Sequence, residues 1–379
     1  MHARGLIVMM SVSVIMVAES CKKTYKPSVV ASNANYLVVE GAINSGADST
    51  FIKLSRTVNL SDKITSKPDS EALVTVENDQ QTSFQLQETL KGTYALPPMT
   101  LDTAHKYRVR IKTADGKEYL SDFVRVYNSP PIDTLRYQVK GDGLHIYVST
   151  HDNTNKIHYY KWDYDETWAF NSHFESFLRY VNGQFIYRTA DQQIYHCWGN
   201  DHSTVSNLET TNKLSQSVIN DKELVILPLN SEKLSIRYSI LVKEYGLPLA
   251  AYEYFTNLKK NTEQIGTIFD AEPSELKGNI TCVTNPAIPV IGFITAGTVT
   301  SKRIFIDNRD LPPVLPYTYY DMIDCKDDVV KVSSEADIER FYGGVHPEFI
   351  PLGDAAQAGA SECVDCTLRG TNKQPAFWR

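Results

Sequence analysis

Short stretches in which apolar and polar residues alternate recur along most of the chain, and this period of two constrains the fold more than any other feature. Between residues 36 and 128 about seven such stretches follow one another without a long helical pattern. The alternation is clear at residues 107–112, and an Asp-Gly pair at Asp115 and Gly116 then precedes another run, which is typical of a hairpin. The pattern predicts an N-terminal β-sandwich over residues 36–128.

A second β-rich region follows Pro130 and Pro131, which remove two backbone donors and therefore predict a domain boundary. In residues 159–168 aromatic and charged residues alternate, as in a half-buried strand. We expect a second sandwich-like domain with an insertion over residues 129–310, and a C-terminal tail, residues 311–379, packed on it. The expected fold class is all-β, with tandem immunoglobulin- or fibronectin-like β-sandwiches, a few short helices and a cysteine-containing tail.

Three segments show helical spacing instead. The first, over residues 248–261, begins with Pro248, which is favoured in the first turn of a helix. Ser334 begins a pattern that resembles a capping box and predicts a second helix, which Gly343 ends. Apolar residues over 174–181 also fit the spacing of a helix.

The first 20 residues predict an export signal. Leu6–Val17 is an apolar run of 12 residues, whereas a membrane-spanning helix needs about 20. The run ends shortly before Ser20 and Cys21, and a small residue directly before a cysteine is typical of a bacterial lipoprotein signal. We expect cleavage before Cys21, a lipid on its thiol, and a polar tether over residues 21–35. An ordinary secretory signal is the alternative.

Composition and motifs argue against several functional classes. The net charge of -7 and the pI near 5.8 do not favour nucleic acid as a partner. Sequence patterns for zinc proteases, nucleotide-binding P-loops, dinucleotide folds and serine hydrolases are missing. We therefore predict no catalytic residues, no cofactor and no metal, and expect that the protein is not an enzyme.

The cysteines other than Cys21 predict disulfides, because paired cysteines in exported proteins are usually oxidised. The candidates are Cys197, Cys282, Cys325, Cys363 and Cys366. We expect Cys197 to pair with Cys282, and Cys325 to pair with Cys363 or Cys366. Alternatively, Cys363 bonds to Cys366 and leaves Cys325 free. The Cys363-Val364-Asp365-Cys366 motif also suggests a zinc site that recruits Cys325 and His346, or a thioredoxin-like redox site. Zinc, however, usually requires a second closely spaced pair, and the redox site requires a strand-to-helix setting.

Two polar patterns have both a functional and a structural interpretation. Asp163 and Asp165 point to one face of a strand, as a glycosidase pair requires, but a solvated strand face has the same pattern. Residues 151–155 are rich in oxygen ligands for Ca²⁺, but turn chemistry selects the same residues. In both cases the structural interpretation is our prediction.

A series of short motifs, in order along the chain, resembles one family. The motifs are Lys22-Lys23, Tyr36–Gly41, Leu54–Thr57, Asp115–Tyr119, Ser129–Asp133, Glu166–Trp168, Gly278–Cys282, Arg303–Ile306, Cys363–Cys366 and Phe377-Trp378. Together they resemble the domain-of-unknown-function family 4249 of Bacteroidota lipoproteins. The resemblance implies an outer-membrane lipoprotein that is commonly encoded beside a TonB-dependent transporter, and it brings no established catalytic residues.

These observations predict a non-catalytic lipoprotein, held in the outer membrane by the lipid on Cys21, that is an accessory or cargo-capture partner of a TonB-dependent transporter. No acidic cluster follows Cys21, so the surface-facing and the periplasm-facing orientation both stay open. The alternative is a free-standing surface lipoprotein that binds a glycan or a peptide through exposed aromatic residues. Core packing is expected for Trp162 and contact with a disulfide for Trp198, which leaves Trp168 as the candidate to stack on a sugar.

Overall fold

The computed structural model describes residues 35–58, 67–182, 184–204, 207–263, 276–314, 316, 318–323, 325, 330–342, 348–352 and 355–378. The signal peptide, Cys21 and nearly all of the tether lie outside this part of the chain, and so do Gly343 and His346. Strands make up 49% of the structure and the helices are few and short. The prediction of an all-β, sandwich-type fold is therefore confirmed.

In the described part of the chain ten strands precede the Pro130-Pro131 pair. They are β1 (Leu37–Asn44), β2 (Thr50–Arg56), β3 (Lys67–Pro68), β4 (Leu73–Asn78), β5 (Ser83–Gln85), β6 (Gln87–Leu90), β7 (Thr93–Leu96), β8 (Lys106–Lys112), β9 (Glu118–Ser121) and β10 (Val124–Asn128). The central strands, such as β4 and β8, alternate buried residues with more exposed ones. One layer pairs β1, β2, β7 and β6 in that order, with β3 also beside β2. The other pairs β5, β4, β8 and β9, and β10 joins it on β8. Inward-facing apolar residues of both layers form one core.

The remaining elements follow in this order. They are β11 (Ile132–Lys140), β12 (Gly143–His151), β13 (Tyr159–Asn171), β14 (Leu178–Val181), β15 (Gln184–Tyr187), β16 (His196–His202), β17 (Asn207–Thr210), β18 (Val218–Leu227), β19 (Arg237–Leu247), α1 (Leu249–Glu263), β20 (Ile280–Cys282), β21 (Val290–Gly292), β22 (Ala296–Asp307), α2 (Tyr319–Met322), β23 (Val330–Val332), α3 (Glu335–Tyr342), β24 (Glu348–Leu352), β25 (Ala355–Gly359) and α4 (Ser361–Val364).

The second sandwich packs a three-stranded sheet on a larger sheet around an aromatic core. β12 lies between β11 and β18 in the first sheet. In the second, β19 lies between β22 and β13, and the far side of β13 pairs with β16 at one end and β17 at the other. Tyr160, Trp162 and Tyr238 are fully buried between the sheets. The predicted half-buried strand at 159–168 is thus part of β13.

The segment between β19 and β22 leaves the second sandwich and completes the first. After α1, β20 pairs with β9 and β21 pairs with β1. The first residues of β22 pair in parallel with both β1 and β10. The rest of β22 pairs antiparallel with β19 in the second sandwich. Residues 280–296 therefore belong to the first core, although the predicted division places them in the domain 129–310. The reason is that the apolar residues of these short strands fill an edge of the first sandwich that its own strands leave open.

The tail packs on the second sandwich together with the insertion that follows β13. Strands β15, β14, β24, β25 and β23 form a five-stranded sheet in that order. An isolated bridge joins Trp198 to Thr371, and the Trp378 ring lies 6.3 Å from the Trp198 ring and 5.6 Å from the Phe305 ring. These contacts fix the end of the described chain against β16 and β22.

Two of the three predicted helices are present. α1 begins one residue after Pro248, whose carbonyl accepts the Tyr252 N–H at 3.1 Å, and α3 begins after Ser334, whose hydroxyl accepts the Asp337 N–H at 3.3 Å. The helix predicted over 174–181 is wrong. Residues 178–181 form β14, because pairing with β15 satisfies the backbone and packs the Tyr180 ring 4.9 Å from that of Phe185.

Candidate ligand-binding cleft

A cleft of about 560 Å³ lies where the two sandwiches meet α1. β1 and β21 of the first sandwich form one wall, α1 forms another, and the outer face of β13 and β19 forms the floor. A volume of this size is typical of sites for small ligands. Because three parts of the fold contribute, the cleft exists only when both sandwiches are complete.

Two lysine–aspartate pairs form the floor. Alternation along β13 buries Trp162 and turns Lys161, Asp163 and Asp165 outward. Lys161 Nζ lies 2.5 Å from Asp163 Oδ2, and Lys243 Nζ on β19 lies 2.6 Å from Asp165 Oδ2. The floor therefore carries two positive and two negative charges that neutralise each other.

The structure supports the structural interpretation of Asp163 and Asp165 over the glycosidase interpretation. Each carboxylate has a lysine partner, and the two side chains are 35% and 45% exposed. A glycosidase needs one carboxyl group that stays protonated, which usually requires an apolar environment. The pair instead forms a partly solvated strand face with a wall of aromatic residues beside it.

Aromatic side chains close one side of the cleft. Lys161 Nζ lies 4.9 Å from the centre of the Tyr245 ring and 5.1 Å from that of Phe255, within the range of a cation–π contact. The Tyr254 ring lies 5.4 Å from that of Phe293. Burial raises the pKa of Tyr254 to about 12, and burial followed by the charge of Asp163 also raises the pKa of Tyr245. Both hydroxyls are therefore protonated at neutral pH.

The tryptophans do not form an exposed platform. Trp162 is fully buried, as expected. Trp198 packs with Ala169 and Trp378 instead of the disulfide, and it is Trp168 that packs against the cluster of Phe170, Cys197 and Cys366. Trp168 is half-buried, since its ring lies against the backbone of Gly199 and under Lys233, whose Nζ is 5.0 Å from the ring centre. Trp168 is nevertheless partly exposed, and the expectation that it stacks on a sugar stays a prediction.

The oxygen-rich loop at 151–155 is held by turn chemistry. The Asp152 carboxylate accepts the backbone N–H groups of Thr154, Lys156 and Ile157 at 2.8 to 2.9 Å. Oxygen atoms that accept backbone hydrogen bonds in this way form an Asx turn. Nowhere in the described part of the chain do three or more His, Cys, Asp or Glu side chains form a group suited to a metal ion.

The cysteine pairing differs from the main expectation. Cys197 bonds to Cys366, and Cys325 bonds to Cys363, which is one of the pairings left open for Cys325. The predicted Cys197–Cys282 pair is wrong because β20 places Cys282 in the first core, where it is buried as a free thiol opposite Tyr119. A bond between Cys363 and Cys366 is also excluded, because each of them has another partner.

Two glutamates are buried in the second sandwich: Glu166, which the sequence analysis named only as part of a motif, and Glu244, which it missed. Glu166 accepts the Tyr238 hydroxyl at 2.7 Å and lies 2.6 Å from Lys233 Nζ. Glu244 is fully buried in the second core. The alternation along β19 could have identified Glu244, because this residue occupies an inward position two residues after the buried Val242.

Comparison with known proteins places the chain in a family without assigning an activity. Across the described residues, no helix is both long and apolar enough to cross a membrane. No curated protein matches the chain. A family model matches residues 22–303, so the cysteine motif at 363–366 lies beyond the matched part. The match covers most of the chain, which therefore belongs to the family described as domain of unknown function DUF4249.

Proposed function

We propose that the protein is a non-catalytic lipoprotein of the outer membrane that captures cargo, as an accessory partner, for a TonB-dependent transporter. The observation that carries this proposal is the position of β1. This strand is the first element after the tether, and its residues 38–42 line the cleft. A lipid on Cys21 would therefore hold the cleft close to the membrane.

The distances agree with such an arrangement. At about 3.3 Å per residue, residue 42 lies no more than roughly 25 Å along the strand from residue 35. An extended tether of residues 21–34 adds at most about 50 Å. The cleft is then within reach of a partner in the same bilayer.

The chemistry of the cleft favours binding over catalysis. The floor carboxylates are paired with lysines, and the tyrosine hydroxyls on the wall are protonated at neutral pH. Such groups orient a ligand through hydrogen bonds but offer no activated nucleophile or base. This supports a role in capture.

Purification from native membranes tests the proposal. The full chain, tagged at its C-terminus and expressed at its natural level, should co-purify a β-barrel receptor of the TonB-dependent class after mild crosslinking. A tagged, unrelated lipoprotein of the same membrane serves as the control. If no such receptor is enriched over the control, the proposal of a transporter partner is wrong.

A free-standing ligand-binding lipoprotein is the second candidate. The observation in its favour is that the paired floor and the aromatic wall lie side by side in a cleft of about 560 Å³. Under this alternative the purified chain binds its ligand with the same affinity whether a receptor is present or not, and no receptor co-purifies.

A further inference from the structure

We infer that the cleft binds a neutral, polyhydroxylated ligand, namely a short oligosaccharide segment. This inference rests on the proposed function as a binding protein and names the class of its cargo. It is argued from the charges of the floor, their unused hydrogen-bonding capacity and the apolar wall beside them.

The first step concerns charge. The Lys161–Asp163 and Lys243–Asp165 pairs leave no net charge on the floor. Glu40 on the β1 wall also lines the cleft, and its carboxylate lies 3.8 Å from Lys53 Nζ. An anion such as phosphate would be attracted by the lysines but repelled by the aspartates at a similar distance. A cation would be attracted by the aspartates and repelled by the lysines. A neutral ligand binds without breaking either pair.

The second step concerns hydrogen bonds. An ammonium group has three donors and a carboxylate has about four acceptor positions, so each pair keeps capacity after the two groups bind each other. A hydroxyl group donates and accepts, and it can therefore bridge a lysine and an aspartate at once. Hydrogen bonds to charged partners are the stronger ones, which favours several hydroxyls over a purely apolar ligand.

The third step concerns spacing. Asp163 lies directly opposite Lys243 in the antiparallel register, although Lys243 pairs diagonally with Asp165. Side chains opposite each other in such a sheet have Cβ atoms about 5 Å apart. Along β13 the donor Lys161 is thus followed by two acceptors, Asp163 and Asp165. Lys243 on β19 places a second donor beside both acceptors, so a ligand with hydroxyls around a ring can contact several of these groups.

The fourth step concerns the wall. Phe255, Leu258 and Phe293 present apolar surface beside the charged floor, and Tyr245 adds a hydroxyl donor. Sugar rings have apolar C–H faces and polar edges, so they match a wall of this kind. The volume of about 560 Å³ is suited to a ligand of about two or three sugar units.

Calorimetric titration of the purified, full mature chain tests the inference. The probes are a panel of neutral trisaccharides of glucose, galactose and mannose, the zwitterionic tripeptide trialanine, and inorganic phosphate. We expect at least one neutral trisaccharide to bind saturably, with an affinity that changes less than about twofold between low and high salt, because no ionic contact is formed with the ligand.

Two variants assign binding to the floor. Lys243→Ala removes donors, and Asp165→Asn keeps the shape but removes the charge; each should weaken trisaccharide binding by about tenfold or more. Arg136→Ala is the matched control, because Arg136 forms an ion pair with Asp221 of similar exposure on the outer face of the other sheet. The affinity of this control variant for the trisaccharide should stay within about twofold of that of the natural protein. Thermal melting shows that each variant is folded.

The other outcomes overturn the inference. If only trialanine or only phosphate binds at the cleft, the ligand class is wrong and the proposed binding function stands. If no probe binds while a receptor still co-purifies, the cleft does not take sugars and the transporter partnership stands. If a trisaccharide binds but both floor variants bind it normally, the site lies elsewhere.

Discussion

Trp162 donates its indole N–H to Glu244 Oε2 across 2.8 Å inside the second core, and the Thr150 hydroxyl lies 2.9 Å from the other carboxylate oxygen. Burial is the largest influence on this carboxyl group and raises its pKa to about 7 from an ordinary value of 4.5. The two hydrogen bonds oppose that shift, and the charge of Asp133 adds to it. A buried carboxyl group that titrates near neutral pH makes the stability of the second sandwich depend on pH.

The sign of this dependence follows from the raised pKa. Below about pH 4.5 both folded and unfolded chains hold the proton, and Glu244 has no effect. Between pH 4.5 and 7 the folded chain keeps a proton that the unfolded chain has lost, so this group lowers the free energy of unfolding as pH rises. The loss is complete above pH 7 and amounts to about 3 kcal/mol.

Glu244→Gln tests this effect, because a glutamine stays neutral and can still accept from Trp162. The free energy of unfolding of the variant minus that of the natural protein should be larger at pH 8 than at pH 5, by about 3 kcal/mol. Urea unfolding at the two pH values measures the difference. Glu209→Gln, on a partly exposed ion pair with Lys222, is the control and should show little change. Equal pH dependence in the natural protein and the Glu244 variant would show that Glu244 does not titrate in this range.

The two disulfides should contribute unequally to stability. The Cys197–Cys366 bond spans 169 residues and the Cys325–Cys363 bond spans 38. In the loop-entropy model, Cys366→Ser lowers the free energy of unfolding by about 5 kcal/mol and Cys363→Ser by about 4 kcal/mol. Chemical denaturation measures both losses.

Counting thiols tests the pairing itself. Denatured but unreduced mature protein should show one reactive thiol, and peptide mapping should place it on Cys282, which is buried and unpaired in the structure. A reactive thiol on Cys197 or Cys325 would contradict the pairing. The Cys282→Ser variant supplies the control, because it should leave no reactive thiol.

Gly292 should not tolerate a side chain, since it lies where β21 meets β1 at the cleft. Its φ is +150°, and a Cβ atom would come within 2.4 Å of the Val39 carbonyl oxygen. Gly292→Ala should lower the free energy of unfolding by about 2 kcal/mol or more. Gly141→Ala is the control, because a Cβ atom added there would have no neighbour within 4 Å, and little change is expected. Equal stability of the two variants would show that the β1–β21 contact is not as close as described.

The local fold could be predicted from the sequence because its causes are local. Alternation at residues 107–112 buries Tyr107, Val109 and Ile111, and the spacing after Pro248 forms a helix, as expected. The segment 174–181 shows the limit of this reasoning. Its spacing fits a helix as well as a strand, and the partner strand β15 decides.

The long-range arrangement could not be predicted in the same way. Residues 280–296 complete the first core although most of the second sandwich precedes them in the chain, and this crossing also separates Cys282 from Cys197. The cleft depends on the same crossing, because β21 and α1 form its walls. Asp163 and Asp165 were identified as a shared face, but Lys243, which pairs with Asp165, lies 78 residues later and is placed only by the β13–β19 register.

The membrane anchor is the claim on which the function depends, and mass spectrometry of the N-terminal peptide from native membranes tests it most directly. The account predicts that the mature chain begins at Cys21, and that this residue carries acyl chains. An unmodified peptide that begins at any other residue would contradict the account, because the cleft would then have no attachment to the bilayer of its proposed partner.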